Sequence, residues 1–156
     1  MSNSERFDNF EELLQKTGEY VTQVRGVSMF PMLRYRKEPV LIHPVTGELR
    51  SYDVAVYAKT DRYVVHRVLE VRDCLYVIRG DNCIGKEYVP KGDVRGVVVG
   101  FCRFGRYIPV ENTLYRMYAH VWVAINPLVR LVHRCRSLAS AVKRTFCRLC
   151  LQERQH

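Results

Sequence analysis

The sequence lacks a long uninterrupted apolar run. A membrane-spanning helix needs about twenty apolar residues, and the most apolar segment, residues 113–126, is interrupted by Arg116 and His120. The first residues are acidic and amphipathic, so we expect no signal peptide or membrane anchor at the N-terminus. Low-complexity segments and internal repeats are also absent, which argues against a disordered or repeat protein.

The signals of several common chemistries are missing as well. There is no Gly-rich phosphate-binding loop, no redox cysteine pair after a strand and no aromatic nucleic-acid-binding motif. The six cysteines follow no disulfide spacing, and we predict reduced thiols. Cys147 and Cys150 form a Cys-x-x-Cys motif without a second ligand pair. We therefore predict no metal site and no cofactor.

Acidic residues are the scarcer charge, with 16 Asp and Glu against 25 Lys and Arg and a net charge of +9. Residues 127–156 hold seven Lys or Arg and one acid, and so contribute +6 of that charge. Such a basic segment is typical of an anionic membrane contact or of a solvated helix face, and both interpretations stay open. We expect no specific nucleic-acid partner, and a location that is either peripheral to a membrane or cytoplasmic.

The 156 residues suffice for one domain with a sizeable core. Residues 1–19 form the N-terminal segment, in which an amphipathic helix is predicted over residues 4–17, with Gly18 as its stop. Residues 20–111 are predicted to be β-rich, and residues 112–156 an apolar and then basic helical extension. The fold class is mainly β (α+β), with short strands in a coiled sheet or partly open barrel. The predicted strands are 20–25, 39–43, 53–58, 63–71, 74–79, 94–103 and 106–110.

Three polar residues stand out among these strands. Ser28 lies in a bend, Gly26-Val27-Ser28-Met29-Phe30-Pro31, between two apolar runs. His66 lies in the predicted strand 63–71, and Asp81 lies in the turn Gly80-Asp81-Asn82. A hydroxyl, an imidazole and a carboxylate are the three parts of activated-serine chemistry. The sequence therefore indicates a serine endopeptidase.

These segments, in this order, resemble the superfamily of type I signal peptidases and LexA-like self-cleaving repressors over about residues 21–110. Five motifs carry the resemblance: Ser28-Met29-Phe30-Pro31, Tyr52 to Tyr57 (with Tyr52 where Gly is usual), Tyr63 to Leu69, Arg79-Gly80-Asp81-Asn82, and Gly96 to Gly100. The resemblance implies the superfamily's coiled, partly open β fold.

The pair His66-Arg67 is similar to the Ser-His subtype found in endoplasmic-reticulum and archaeal enzymes, in place of the lysine of other members. The resemblance implies that Ser28 is the nucleophile and His66 the general base, a task that its ordinary pKa near 6.5 suits. The carboxylate that orients His66 is either Asp81 or Glu87. Glu87 stands where the subtype has a second acid, and its longer side chain would need a backbone shift.

The resemblance also implies a substrate cleft near Gly26, Met29 and Phe30, although Met29 and Phe30 also fit the core. Gly26 stands where many signal peptidases have a serine, so the Ser28 amide would have a larger share in binding the oxyanion. The implied partner is an extended polypeptide that is added beside a strand.

The expected function is a signal-peptidase-like endopeptidase that cleaves a leader- or signal-bearing polypeptide. Two alternatives stay open. One is a cytosolic LexA-like regulatory autoprotease, and the other is a non-catalytic module that binds a membrane or nucleic acid.

Overall fold

The protein is mainly β, as predicted. The computed structural model describes residues 3–34, 38–60 and 62–127, and it contains an open antiparallel sheet of eight strands and two helices. Helix α1 is Asn3–Thr17 and helix α2 covers residues 113–127. The strands are β1 Tyr20–Gln23, β2 Pro39–Pro44, β3 Val54–Lys59, β4 Arg62–Val71, β5 Leu75–Arg79, β6 Glu87–Pro90, β7 Val94–Arg103 and β8 Arg106–Pro109.

The chain divides into two compact units, residues 1–123 and 124–156. The sheet, α1 and most of α2 belong to the first unit. The predicted basic segment 128–151 lies outside the described residues, and so do Cys135, Cys147 and Cys150. Among the described residues, Cys74, Cys83 and Cys102 are free thiols. Neither helix, over the part that is described, is long and apolar enough to cross a membrane.

Helix α1 forms where the sequence predicts it. Phe10 and Leu14 are one helical turn apart, and both are buried in the larger of two apolar cores. Gly18 ends the helix in the left-handed conformation, with φ of 77°, and its N–H donates to the Leu14 carbonyl at 3.0 Å. Glycine adopts this conformation without a steric penalty, which is why the helix ends here.

Neighbouring strands are hydrogen-bonded in the order β1-β2-β7-β3-β4-β5-β6 across the sheet, and β8 also pairs with β7. All seven predicted strands are present, with ends that differ by no more than two residues. The sequence analysis missed β6, because this strand has four residues, ends in Pro90 and buries only Val89. Its omission matters because β6 pairs with β5 and carries Glu87 into the sheet beside Ile78.

Strand β4 has two halves with different neighbours. Residues 62–67 pair with β3 along one edge, and β5 pairs with the other edge of β4 from Arg67 onward. Residues 62–66 also line a cleft, which β1 borders from the other side. His66 is therefore the last residue of the part of β4 whose second edge is open, and this edge lies beside the cleft.

Candidate active site

Ser28 lies in a turn that follows β1. Gly26 adopts a φ of 100°, which is a left-handed conformation that favours glycine, and the Phe30 N–H donates to the Val27 carbonyl at 3.1 Å. Met29 is only 1% exposed and belongs to the apolar core, whereas Ser28 is half-buried and lines the cleft. The turn is thus held by a buried methionine next to a serine at the cleft surface.

Asn82 forms two hydrogen bonds with this turn. Its backbone N–H donates to the Ser28 carbonyl at 2.7 Å, and its side-chain Nδ2 donates to the Val27 carbonyl at 3.3 Å. The sequence analysis gave Asn82 no separate role, although its position in the Gly80-Asp81-Asn82 motif was a usable signal. The motif acts here as a clamp on the backbone of the serine turn.

The clamp requires a glycine at position 80 because there is no room for a side chain. A Cβ at Gly80 would lie 2.7 Å from the Ser28 carbonyl oxygen, 2.8 Å from the Cys83 Sγ and 2.9 Å from the His66 Nε2. Contacts this short do not occur in well-packed proteins, so a side chain here would displace its neighbours. The Nε2 of His66 and the carbonyl oxygen of Ser28 therefore both lie close to the Gly80 Cα.

The other ring nitrogen of His66 faces a carboxylate and a phenol. Its Nδ1 lies 3.2 Å from the Glu87 Oε1 and 3.2 Å from the Tyr57 hydroxyl. Lys59 in turn forms a hydrogen-bonded ion pair with Glu87. The sequence analysis assigned no role to Tyr57 or Lys59, because their approach depends on the pairing of β3, β4, β5 and β6.

The environment keeps His66 neutral. His66 is only 6% exposed. Burial lowers the pKa of its imidazole, the Glu87 charge raises it by less, and the pKa therefore lies below its ordinary value. Burial alone would raise the pKa of Glu87, but Lys59 and His66 outweigh burial and lower it. A neutral imidazole beside an ionised carboxylate is the arrangement that general-base catalysis requires.

Asp81 forms a two-point ion pair with Arg67. The guanidinium donates from Nε to Oδ1 at 2.8 Å and from Nη2 to Oδ2 at 2.7 Å, and both side chains are almost fully buried. The Tyr118 hydroxyl donates to Oδ2 at 3.3 Å, and the Trp122 Nε1 donates to the Asp81 carbonyl at 3.0 Å. Of the two carboxylates that the sequence leaves open, Glu87 is therefore the one against the His66 ring, while Asp81 ties the clamp to β4.

Tyr52 occupies the position at which the resemblance expects a glycine. It adopts a φ of 79°, a left-handed conformation that costs a non-glycine residue roughly 1–2 kcal/mol. Its carbonyl accepts a hydrogen bond from the Arg67 Nη1 at 3.0 Å, and its ring packs on His120 at 4.1 Å between centroids. These contacts hold the strained backbone in place.

Cys83 is a second potential nucleophile near His66. Burial raises the pKa of its thiol, and the Glu87 charge raises it further. The thiolate is the reactive form of a cysteine, so this environment disfavours attack by Cys83. Ser28 is thus the better candidate on this side of the imidazole.

The cleft beside Ser28 and His66 has a volume of about 1040 Å³. Gly26 lines it, whereas the described lining does not include Met29 or Phe30. Met29 instead fills the core, and Phe30 is 48% exposed outside the cleft. The lining is largely apolar and aromatic on the α1 side, and it carries three cations, which are Arg25, Lys59 and Arg62.

Across residues 3–34, 38–60 and 62–127, no three His, Cys, Asp or Glu side chains are close enough together to hold a metal ion. No family model matches the chain, and a search of the curated proteins finds no match.

Proposed function

We propose that the protein is a serine endopeptidase with Ser28 as nucleophile, His66 as general base and Glu87 as the orienting carboxylate. One observation carries the proposal. The Nε2 of His66 and the Ser28 backbone pack against the same Gly80 Cα, while the Nδ1 of His66 faces Glu87 at 3.2 Å. One buried imidazole thus has a carboxylate at Nδ1 and the backbone of the proposed nucleophile on the side of Nε2, and this supports the roles of orienting acid and base.

The reaction begins with the His66 proton on Nδ1, where it is donated to Glu87. The lone pair on Nε2 accepts the Ser28 hydroxyl proton as Oγ bonds to the substrate carbonyl carbon. The imidazolium formed in this step is stabilised by Glu87 and returns its proton to the leaving amine as the peptide bond breaks. Water then repeats the sequence on the acyl-enzyme and releases Ser28.

The developing oxyanion is bound by the Ser28 amide in this proposal. Gly26 supplies no hydroxyl that could assist, so the backbone N–H carries more of the stabilisation than it does where a serine occupies that position. The Asn82 clamp fixes the Ser28 carbonyl at 2.7 Å and hence the orientation of the adjoining peptide planes. Such fixed donors cost no reorganisation during the reaction.

The substrate is an extended segment of polypeptide, bound along the open edge of residues 62–66 across the cleft from β1. Both strands line the cleft, and free strand edges bind peptides through backbone hydrogen bonds. The resemblance to the signal peptidase and LexA-like superfamily points to a leader-bearing polypeptide with small residues before the cut. It also points to the corresponding coiled sheet, since the Ser28, His66 and Gly80–Asn82 motifs meet at one site.

An anionic membrane surface is the proposed location. Between residues 113 and 123, helix α2 exposes three large apolar side chains at spacings of three and four, namely Leu114, Met117 and Val121. This face and the basic sequence of residues 127–156 have the composition of an interfacial segment. Flotation with anionic and zwitterionic vesicles tests it: serine at the three apolar positions should reduce binding to anionic vesicles, and unchanged binding would contradict this location.

The activity is tested by cleavage of a diverse peptide library, read by mass spectrometry in the presence of detergent. Ser28→Ala and His66→Ala should each lose several orders of magnitude of kcat/KM, because the members of such a set act as a unit. Cys83→Ala is the matched control, since it removes the other nucleophile from the same side of the imidazole, and it should retain cleavage. Cuts that persist in Ser28→Ala, or are lost in Cys83→Ala, would overturn the assignment of the nucleophile.

A further inference from the structure

Tyr57 is the residue near His66 that the proposed reaction leaves without a task. It lies on β3, is only 2% exposed, and its neighbouring strand β4 carries His66. Its hydroxyl is 3.2 Å from the His66 Nδ1, the same distance as the Glu87 Oε1. One ring nitrogen therefore has two oxygen neighbours, and it has a single proton or a single lone pair to share between them.

The two oxygens differ in what they can do. An ionised carboxylate only accepts, whereas a phenol donates one proton and also accepts. While Glu87 is ionised, both the Tyr57 hydroxyl and the Nδ1–H group donate to it, and the Nε2 lone pair is left for Ser28. Without Glu87, the Tyr57 hydroxyl donates to a bare Nδ1 and the imidazole proton moves to Nε2, where it blocks proton abstraction.

We propose that Tyr57 is a positioning residue whose hydroxyl, directed by Glu87, determines which nitrogen of neutral His66 carries the proton; for catalysis, this rests on the proposed function of Ser28 and His66. Glu87 selects the competent tautomer, and Tyr57 selects the incompetent one as soon as Glu87 no longer accepts its proton. Loss of the Glu87 carboxylate therefore lowers the rate in two ways. It removes the contact between Glu87 and the His66 Nδ1, and it allows Tyr57 to select the incompetent tautomer.

The surroundings support these roles. Burial and the Glu87 charge raise the pKa of Tyr57 above its ordinary value, so the hydroxyl keeps its proton and remains a donor. An interaction between the Tyr57 hydroxyl and the Glu87 carboxylate contributes to the raised pKa of Tyr57 and to the lowered pKa of Glu87, in keeping with the first of the two arrangements. Lys59 forms an ion pair with Glu87 and favours its ionised form.

The tautomer can be measured directly, without an assay of activity. In the histidine-labelled protein at about pH 7.5, where neutral imidazole prevails, the nitrogen NMR shifts distinguish a protonated from an unprotonated ring nitrogen. The His66 signals are identified by their loss in His66→Gln. We expect the proton on Nδ1 in the wild type and in Tyr57→Phe, and on Nε2 in Glu87→Ala.

The double variant is the decisive comparison. Adding Tyr57→Phe to Glu87→Ala removes the donor that holds the wrong tautomer, so the fraction of His66 protonated at Nδ1 should rise above that of Glu87→Ala. The kcat should rise about threefold to tenfold above that of Glu87→Ala, the change that one net hydrogen bond makes, with KM unaltered. A residue with a merely structural role would lower the activity further on the second substitution.

The control is Tyr76→Phe, which also removes a buried hydroxyl, one that accepts the Leu49 N–H at 3.0 Å. It should leave the His66 tautomer and kcat unchanged in either background. If Glu87→Ala does not fold, Glu87→Met provides the same comparison, since it also removes the acceptor and leaves a side chain of similar length. Persistent Nδ1 protonation in the Glu87 variant, or no recovery in the double variant, would overturn the role of Tyr57. If no variant cleaves any peptide but the tautomers shift as expected, the proposed function fails and the positioning role stands.

Discussion

Substitution of Gly80 by alanine tests whether the Ser28 turn and the His66 imidazole both lie close to Gly80. The new Cβ would lie 2.7 Å from the Ser28 carbonyl oxygen and 2.9 Å from the His66 Nε2. Ordinary carbon contacts begin near 3.5 Å, so each neighbour has to move by several tenths of an ångström. The Ser28 carbonyl is also held by the Asn82 N–H at 2.7 Å, and that hydrogen bond lengthens when the turn moves.

The expected effect is larger on activity than on stability. A misplacement approaching 1 Å costs roughly 100-fold in rate, and overpacking costs about 1–3 kcal/mol of unfolding free energy. We therefore expect Gly80→Ala to lose at least about tenfold in kcat/KM, through kcat, while remaining folded. The assays are peptide cleavage and urea denaturation on the same sample.

Gly85→Ala is the matched control for this substitution. Gly85 lies five residues further along, outside the left-handed region, and a Cβ there has open space around it. Its alanine variant should keep full activity and change stability by less than about 1 kcal/mol. Full activity and unaltered stability in Gly80→Ala would refute the close approach of the Ser28 turn and of His66 to Gly80.

Three further outcomes follow from the charges around the site. Asp81→Asn should destabilise the protein by about 3–5 kcal/mol in urea denaturation, because it leaves the buried Arg67 charge uncompensated; a loss below 1 kcal/mol would contradict this. The midpoint of the acid limb of the pH profile of kcat/KM should lie below the ordinary imidazole pKa of about 6.5, because the pKa of His66 is lowered and the base stays neutral as the pH falls. A midpoint above that value would show that a different group titrates. Lys59→Met should move this limb to higher pH, since Lys59 lowers the pKa of both His66 and Glu87, and a shift to lower pH would reverse the assigned sign.

Much of the fold follows from local sequence patterns. Phe10 and Leu14 with Gly18 were enough to place α1, because helical spacing and a left-handed stop are local properties. Apolar alternation placed seven strands, and it put His66 inside β4. It could not find β6, since four residues that end in proline carry too little periodicity to predict a strand.

The candidate site divides along the same line. The residue types and their order identified Ser28 and His66 as candidates from the sequence, because hydroxyl and imidazole chemistry belongs to the side chains themselves. The sequence left Asp81 and Glu87 as alternatives. The tertiary structure placed Asp81 on Arg67 and Glu87 against His66, because β6 pairs beside β5 and carries its first residue toward β4.

The sequence by itself determined the mainly β class, the helix α1 and the chemical character of the candidate residues, since each depends on neighbours a few positions away. Only the tertiary structure decided that Met29 fills the core, that Asn82 clamps the serine turn and that Tyr57 reaches His66. These contacts join residues from strands and turns that are distant in the chain, and strand order and register, which local periodicity does not encode, bring them together.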